Sequence, residues 1–349
     1  MKTMLARCSA WGLMVLGVVP LGRAWDYEGH RLVNHVAVSL LPTNFPAFVR
    51  GAEARERIAF LAGEPDRWRN TTDLPLRHCN GPDHYFDVDD LAPYGIEPAA
   101  LSHFRYEFVG QLAVARAAAP EKFPAINPVQ DRDRTKAQIG FLPWAITEHY
   151  AKLKSGFSYL KAYEQGGSAE EMTNARQNII YIMGVMGHYV GDLTQPLHTT
   201  RHFNGWVGEN PAGYTTSKGF HAWIDGGFLQ KAGMITAEEL QPKLRPARSL
   251  WHGLPAEKRP DVFPEVMTQL LAQFKLVEPL YKMDKEGQLS ARDEAGRKGR
   301  EFLAGQLAVA AQSLSDLWFT AWEQALPDTF LQGQLAKRKL QSPETVPKP

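Results

Sequence analysis

Apolar residues in this sequence recur at three- and four-residue steps and almost never alternate, which restricts the chain to helices. Leu32, Val33, Val36, Ala37, Leu40 and Leu41 mark one such run, and Pro42 stops it. Similar patterns cover roughly 99–118, 141–164, 170–192, 262–283 and 293–325. Alternating segments bounded by tight hairpin turns, the signature of strands, are nearly absent. Glycine, proline and asparagine collect at 63–98 and 204–219, which read as long ordered loops of the kind that carry function in a compact domain. No internal repeat or break in composition marks a second domain. The expectation is one all-α, multi-helix domain over residues 25–340, with loops above a central site. The polar, proline-containing tail 341–349 is expected to be disordered.

The start of the chain bears on where it works. Lys2 and Arg7 precede an apolar run from Trp11 to Leu21, with small residues at Gly22 and Ala24. The run is too short for a membrane span, and the order of features predicts a signal peptide over 1–24, cleaved near Ala24. A secreted or periplasmic protein with no transmembrane segment is expected. Cleavage would remove Cys8 and leave Cys79 alone, so no disulfide could form within the chain. Such an exported protein is held by its core or by metal. The first 24 residues hold three basic side chains and no acidic one, so 36 of 39 basic side chains stand against all 38 acidic ones thereafter. A bulk charge near zero gives no general attraction to nucleic acid or membrane, and no protein partner is inferred. An anionic partner must be held locally.

The densest chemistry lies at 187–198. His188 and Asp192 are four residues apart, on one face of a helix; Pro196 then breaks the helix, and the turn can return His198 to the same point. His221 and Asp225 repeat the spacing. Imidazole nitrogen and carboxylate oxygen suit zinc. One such pair is more often a surface ion pair; two pairs with a third histidine point to metal.

With these residues in view, the sequence resembles the superfamily of the zinc-dependent phospholipases C and the S-one/P-one nucleases. The resemblance runs in scattered blocks from Trp25 to about Trp322. Its most specific block is His-x-x-x-Asp-x-x-Gln-Pro-Leu-His at 188–198. Trp25 through His30 looks like the nuclease start, Asp66 with Arg69 like Asp-x-x-Arg, His84 through Asp87 like His-Tyr-x-Asp, and Gly219 through Asp225 like the last ligand block. The resemblance implies about three zinc ions per chain. Asp66, His84 and His188 would hold one, and His198, His221 and Asp225 another. His30 with the free amine and carbonyl of Trp25 would hold the third, and Asp192 would bridge the first and third. On this pattern the amine becomes a ligand only after cleavage at Ala24. Asp87 is then the candidate to orient or deprotonate a water, and Arg69 to neutralise charge developing on a phosphate.

Three zincs against three carboxylates leave a positive centre, which favours a phosphate ester as substrate. Trp25 to His30, Arg69 and an aspartate as last ligand lean to a nuclease acting on single-stranded nucleic acid. The Gly219-Phe220-His221 wording and the Leu317-Trp318-Phe319 helix lean to a phospholipase C acting on phospholipid head groups. The nuclease pattern has asparagine after its last ligand, where this chain has Gly226. Phe203, Trp206 and Tyr214 can stack bases, insert into lipid, or fold their loop onto the body. A zinc-stabilised scaffold without catalysis is the third alternative; it would leave Arg69 and Asp87 without a role.

Overall fold

The computed structural model describes residues 25–254, 261–290 and 294–341, and over these the chain forms a single all-α domain. The expected signal peptide, and the expected tail beyond Gln341, lie outside the described residues. In chain order the helices are α1 (Tyr27–Ser39), α2 (Ala52–Leu61), α3 (Glu64–Arg69), α4 (Leu74–Asn80), α5 (Arg105–Ala118), α6 (Leu142–Gly166), α7 (Ala169–Leu193), α8 (Phe220–Ala222), α9 (Phe228–Ala232), α10 (Ala237–Leu240), α11 (Phe263–Phe274), α12 (Val277–Lys285), α13 (Glu294–Gln324) and α14 (Thr329–Gln341). No strand occurs among the described residues; Phe86 and Gly140 make one isolated antiparallel bridge.

The molecule is organised around α7. Ser168 and Glu171 close a capping box at its start, satisfying backbone N–H groups that the first turn leaves open. Further along, every residue from Met183 to Leu193 is buried. A helix buried all round is a central element rather than a surface one. It packs along α6, and α1, α2 and α13 enclose it. His188 and Asp192 are therefore delivered into the core, not to a solvated face.

Glycine lets α1 and α2 approach α7 closely. A Cβ on Gly187 would fall 1.7 Å from Asn34 Oδ1, and one on Gly191 would fall 2.6 Å from His30 Nδ1. Asn34, fully buried, donates from Nδ2 to the carbonyls of Ile58 (2.8 Å) and Gly184 (3.0 Å), so one amide ties α1, α2 and α7 together. An aromatic cluster seals the far side of α6. Trp144 stacks on Phe108 at 4.5 Å, and Phe86 and Phe263 pack against it. Each fully buried ring contributes about 1.5–3 kcal/mol.

Sequence period located the long helices closely but missed the short ones. The segment 63–98, read as loop, contains α3, α4 and several 3₁₀ turns. α4 carries no buried residue, so it has no apolar stripe to reveal it. The pattern at 262–283 is two helices, parted at Lys275–Leu276, and the one at 99–118 turns helical only from Arg105. Gln341, assigned to the tail, is instead the last residue of α14. No helix among the described residues is long and apolar enough to cross a membrane.

Candidate metal centre

Six segments converge at the C-terminal end of α7. His30 comes from α1, Asp66 from α3, and His84 from the end of the 3₁₀ turn Gly81–His84. His188 and Asp192 come from α7 itself, and His198 from the 3₁₀ turn that Pro196 opens. His221 lies in α8, and Asp225 in the π turn Trp223–Gly227 that follows. π turns of this kind gather at functional sites, because the wider turn re-aims a side chain.

Eight sequence-predicted ligands fall into three groups that could hold metal ions: Asp66, His84 and His188; His30, His188 and Asp192; His198, His221 and Asp225. Within each group the candidate atoms lie within 4.8 Å of one another. The first two share His188. Asp192 stands between them, with Oδ2 2.9 Å from His84 Nδ1 and 3.2 Å from His188 Nε2, and Oδ1 3.5 Å from His30 Nε2. The rings of His30 and His188 stack at 4.0 Å. None of the other six histidines enters such a group among the described residues.

Backbone carbonyls set the direction of the histidine lone pairs. His188 Nδ1 lies 2.7 Å from the Ala62 carbonyl, and His198 Nδ1 contacts the His84 carbonyl. A carbonyl only accepts, so each Nδ1 carries a proton and each ring turns its Nε2 inward; burial lowers His188, but Asp192 and Asp66 outweigh it and raise this ring. There His188 Nε2 meets His84 Nδ1 at 3.0 Å, and His198 Nε2 meets His221 Nε2 at 3.0 Å. Facing nitrogens at this distance need a proton or a cation between them. Asp192 Oδ1 and His84 Nε2 are buried and make no hydrogen bond, and Asp225 Oδ2 stands 2.9 Å from His221 Nε2. Unsatisfied buried acceptors are costly, and cations bound at the groups they belong to would satisfy them.

The electrostatics follow from burial among these groups. Burial alone would raise Asp66, but Arg69, His188 and His84 outweigh it and bring its carboxyl down to about 2. Asp192 is likewise held well below the carboxylate range, because His188 and His198 overcome its desolvation. Burial, aided by Arg69, lowers His84 to about 4, and burial lowers His198 to about 3. These imidazoles stay neutral at physiological pH, the state that binds metal. Burial raises Asp225.

Supporting contacts surround the cluster. Arg69 Nε donates to Asp66 Oδ1 at 2.7 Å, while its buried Nη2 makes no hydrogen bond. Gln195 Nε2 donates to Asp225 Oδ1 at 2.6 Å, and the Leu197 N–H donates to Gln195 Oε1 at 2.9 Å. Gln195 stood in the sequence block without an assigned role; the structure makes it the side chain that orients Asp225. Trp25 is fully buried, and its indole donates to the Gly191 carbonyl at 3.0 Å. The Asp26 N–H donates to the Asp225 carbonyl at 3.0 Å. These contacts pin the Trp25–Asp26 backbone between α7 and the π turn. A Cβ on Gly226 would fall 2.7 Å from Asp26 Oδ2, so Asp26 fills the place that an asparagine side chain would need there.

A cavity of about 370 Å³ opens onto the cluster, lined by Arg69, Tyr85, Asp87, Lys136, His198 and His221, with Phe203 at its edge. Asp87 is raised well above the carboxylate range by burial, with Asp89 and Asp90 adding to the effect. Lys136 is a cation that sequence pattern did not single out, since it sits in an aperiodic stretch between α5 and α6. Of the three loop aromatics, two fold the loop. Trp206 stacks on His202 at 4.1 Å and packs on Tyr214 and Tyr281. Phe203 is half-exposed, with its ring 5.8 Å from His221.

A scan against protein-family models found no match, and a search of curated proteins found none either.

Proposed function

We propose that this chain is a zinc-dependent phosphodiesterase that hydrolyses single-stranded nucleic acid. The observation that carries this reading is the continuity between three linked His/Asp groups and a cavity holding Arg69, Lys136 and Asp87. The donors are imidazole nitrogen and carboxylate oxygen, with no thiolate, which suits zinc. Two nitrogens about 2.0–2.1 Å from one tetrahedral zinc stand roughly 3.3 Å apart. The two facing histidine pairs, at 3.0 Å, are near that spacing. Three zincs, bound as the resemblance implies, would supply Lewis acidity towards the phosphoryl oxygens and a water acidified to near neutrality.

The chain's own residues supply the rest. Arg69, positioned by Asp66, presents Nη2 to a phosphate oxygen, and Lys136 adds a second positive charge at the wall. Asp87 lines the same cavity as Arg69, and burial raises its carboxyl above the ordinary range; it is the group placed to accept a proton from the attacking water. Gln195 and the carbonyls of Ala62 and His84 hold Asp225, His188 and His198 in register. Phe203 offers one ring for a base beside His221.

The test is hydrolysis by the purified protein of single-stranded DNA, RNA and phosphatidylcholine in parallel, before and after chelation. Cleavage of the nucleic acids, lost on chelation and restored by zinc, is expected. Cleavage of phosphatidylcholine alone would move the activity to a phospholipase C. A zinc-loaded protein inert on all three would leave a scaffold.

A further inference from the structure

A second cavity, of about 510 Å³, lies beside the one at the metal centre. Its charged lining is Arg116, Lys122, Lys136 and Arg201, against the single carboxylate Asp90. The whole chain has a net charge of only +1, so four cations around one cavity are a local concentration. Lys136 lines both cavities. Two backbone segments also join them. One carries Lys136 and then Ile139, whose carbonyl accepts from the Asp87 N–H at 2.7 Å. The other runs from His198, whose carbonyl accepts from Phe86 at 2.9 Å, to Arg201. The Arg201 N–H and the Thr200 hydroxyl donate to Asp89, at 3.0 and 2.6 Å, which fixes that segment's course.

The cations are presented rather than consumed. Among the described residues, Lys122, Lys136 and Arg116 make no ion pair with a carboxylate. Arg116 is held by neutral groups: it donates to the Tyr94 hydroxyl at 3.0 Å and lies 4.7 Å above the Phe123 ring, which itself packs on Tyr94 at 4.6 Å. Arg201 has one loose pair, to Asp90 at 3.4 Å. A guanidinium fixed by a ring and a phenol, with its charge unspent, is prepared for an anion.

Resting on the function proposed above, we infer that this basic cavity holds the backbone phosphates of the nucleotides next to the one being cleaved. A positively charged groove that tracks the backbone is how proteins bind single strands without reading sequence. The occupant is a polyanion, because cations spread over two adjoining cavities match repeated phosphates. A phosphatidylcholine head group carries one phosphate, and its quaternary ammonium would be repelled here.

The test compares two substrates in the zinc-loaded protein. Bis-p-nitrophenyl phosphate has one phosphate and reaches only the metal centre; ten-residue oligothymidylate extends beyond it. The variants are Lys122→Glu, at an exposed side chain with no ion pair, and the double variant Arg116→Ala, Lys122→Ala. In the double variant KM for the oligomer should rise roughly tenfold, with kcat and small-ester hydrolysis unchanged. Its plot of log kcat/KM against log salt should be shallower by about 1.4, since each phosphate contact with a single strand contributes about 0.7. Lys122→Glu should move KM and slope in the same direction. An unchanged KM and slope, or an equal loss on the small ester, would overturn the inference. Fluorescence anisotropy of labelled oligothymidylate separates the two proposals: tight wild-type binding weakened in the variants supports the groove even if nothing is cleaved. Equal binding by wild type and variants refutes it. Variant-sensitive binding of phosphatidylglycerol vesicles without oligomer binding would reassign the cavity to a membrane surface.

Discussion

Two polar clusters flank Tyr189, and they solve the problem of buried charge in opposite ways. On one side, Arg105 donates to Asp83 Oδ1 at 2.6 Å and to both oxygens of Glu148 at 2.9 and 3.0 Å. Its charge is matched by its own neighbours, and its guanidinium also lies over the Phe141 ring. On the other side, Tyr189 packs against His84 and His188, where acceptors face acceptors. The first cluster is complete as protein. The second has donor atoms for a cation that the chain does not itself provide. Burial alone therefore does not mark a candidate metal site; a surplus of inward lone pairs does.

The sharpest way to break that contrast is to remove a shared ligand on one side and the cation on the other. Asp192→Asn should lose zinc and abolish hydrolysis, because the carboxylate stands between His30, His84 and His188 at 2.9–3.5 Å. Arg105→Met should keep its zinc and most of its activity while losing about 1–2 kcal/mol of stability, since its ion pairs are only partly buried. Zinc content by atomic emission and denaturant unfolding read both variants. Equal zinc loss in the two would mean that the clusters are one unit.

Within the metal side, ligand and base should separate. Asp87→Asn is expected to fold and retain zinc, with turnover falling by roughly 10²–10⁴-fold. Loss of zinc in this variant would move Asp87 into the ligand set. Normal turnover would mean that no protein base is required.

A smaller effect concerns Trp25. A chain beginning at Trp25 should lose most of its activity when one glycine is added before it, with little change in melting temperature. The indole and Asp26 contacts survive the addition, whereas a metal-binding amine would not. Full activity in the extended form would show that the amine is not a ligand.

The smallest expected effect is on acid stability without metal. Burial lowers His84 to about 4 and His198 to about 3, below the ordinary histidine value of 6.5. Between those limits the unfolded chain binds protons that the native one does not. The contribution of these two rings should thus be full above pH 6.5 and decline as pH falls towards 4, offset in part by His188, which Asp192 and Asp66 raise against its burial. Melting of the chelated protein between pH 7.5 and 4.5 measures this. A melting temperature that rises on acidification would contradict neutral, buried imidazoles.

Much of the candidate site was legible because its donor side chains sit at helical spacing. His188 with Asp192, and His221 with Asp225, declare a shared face before any fold is known. The short α3 and α4 were not legible, since six or seven residues rich in proline and charge carry too little period to stand out. Nor was Lys136, which no pattern distinguishes from other exposed lysines.

The sequence by itself determined the all-helical class, the long helices, and the residue types able to bind metal. Those properties are local: period, caps and donor chemistry are written within a few residues of one another. Only the tertiary structure decided that six segments meet. It also decided that Gly187 and Gly191 admit α1, that Gln195 rather than a residue near Asp225 in sequence orients that carboxylate, and that Lys136 joins two cavities. Such facts depend on which atoms lie within a few ångströms across stretches of chain from thirty to 150 residues long, and spacing along a sequence carries no record of that.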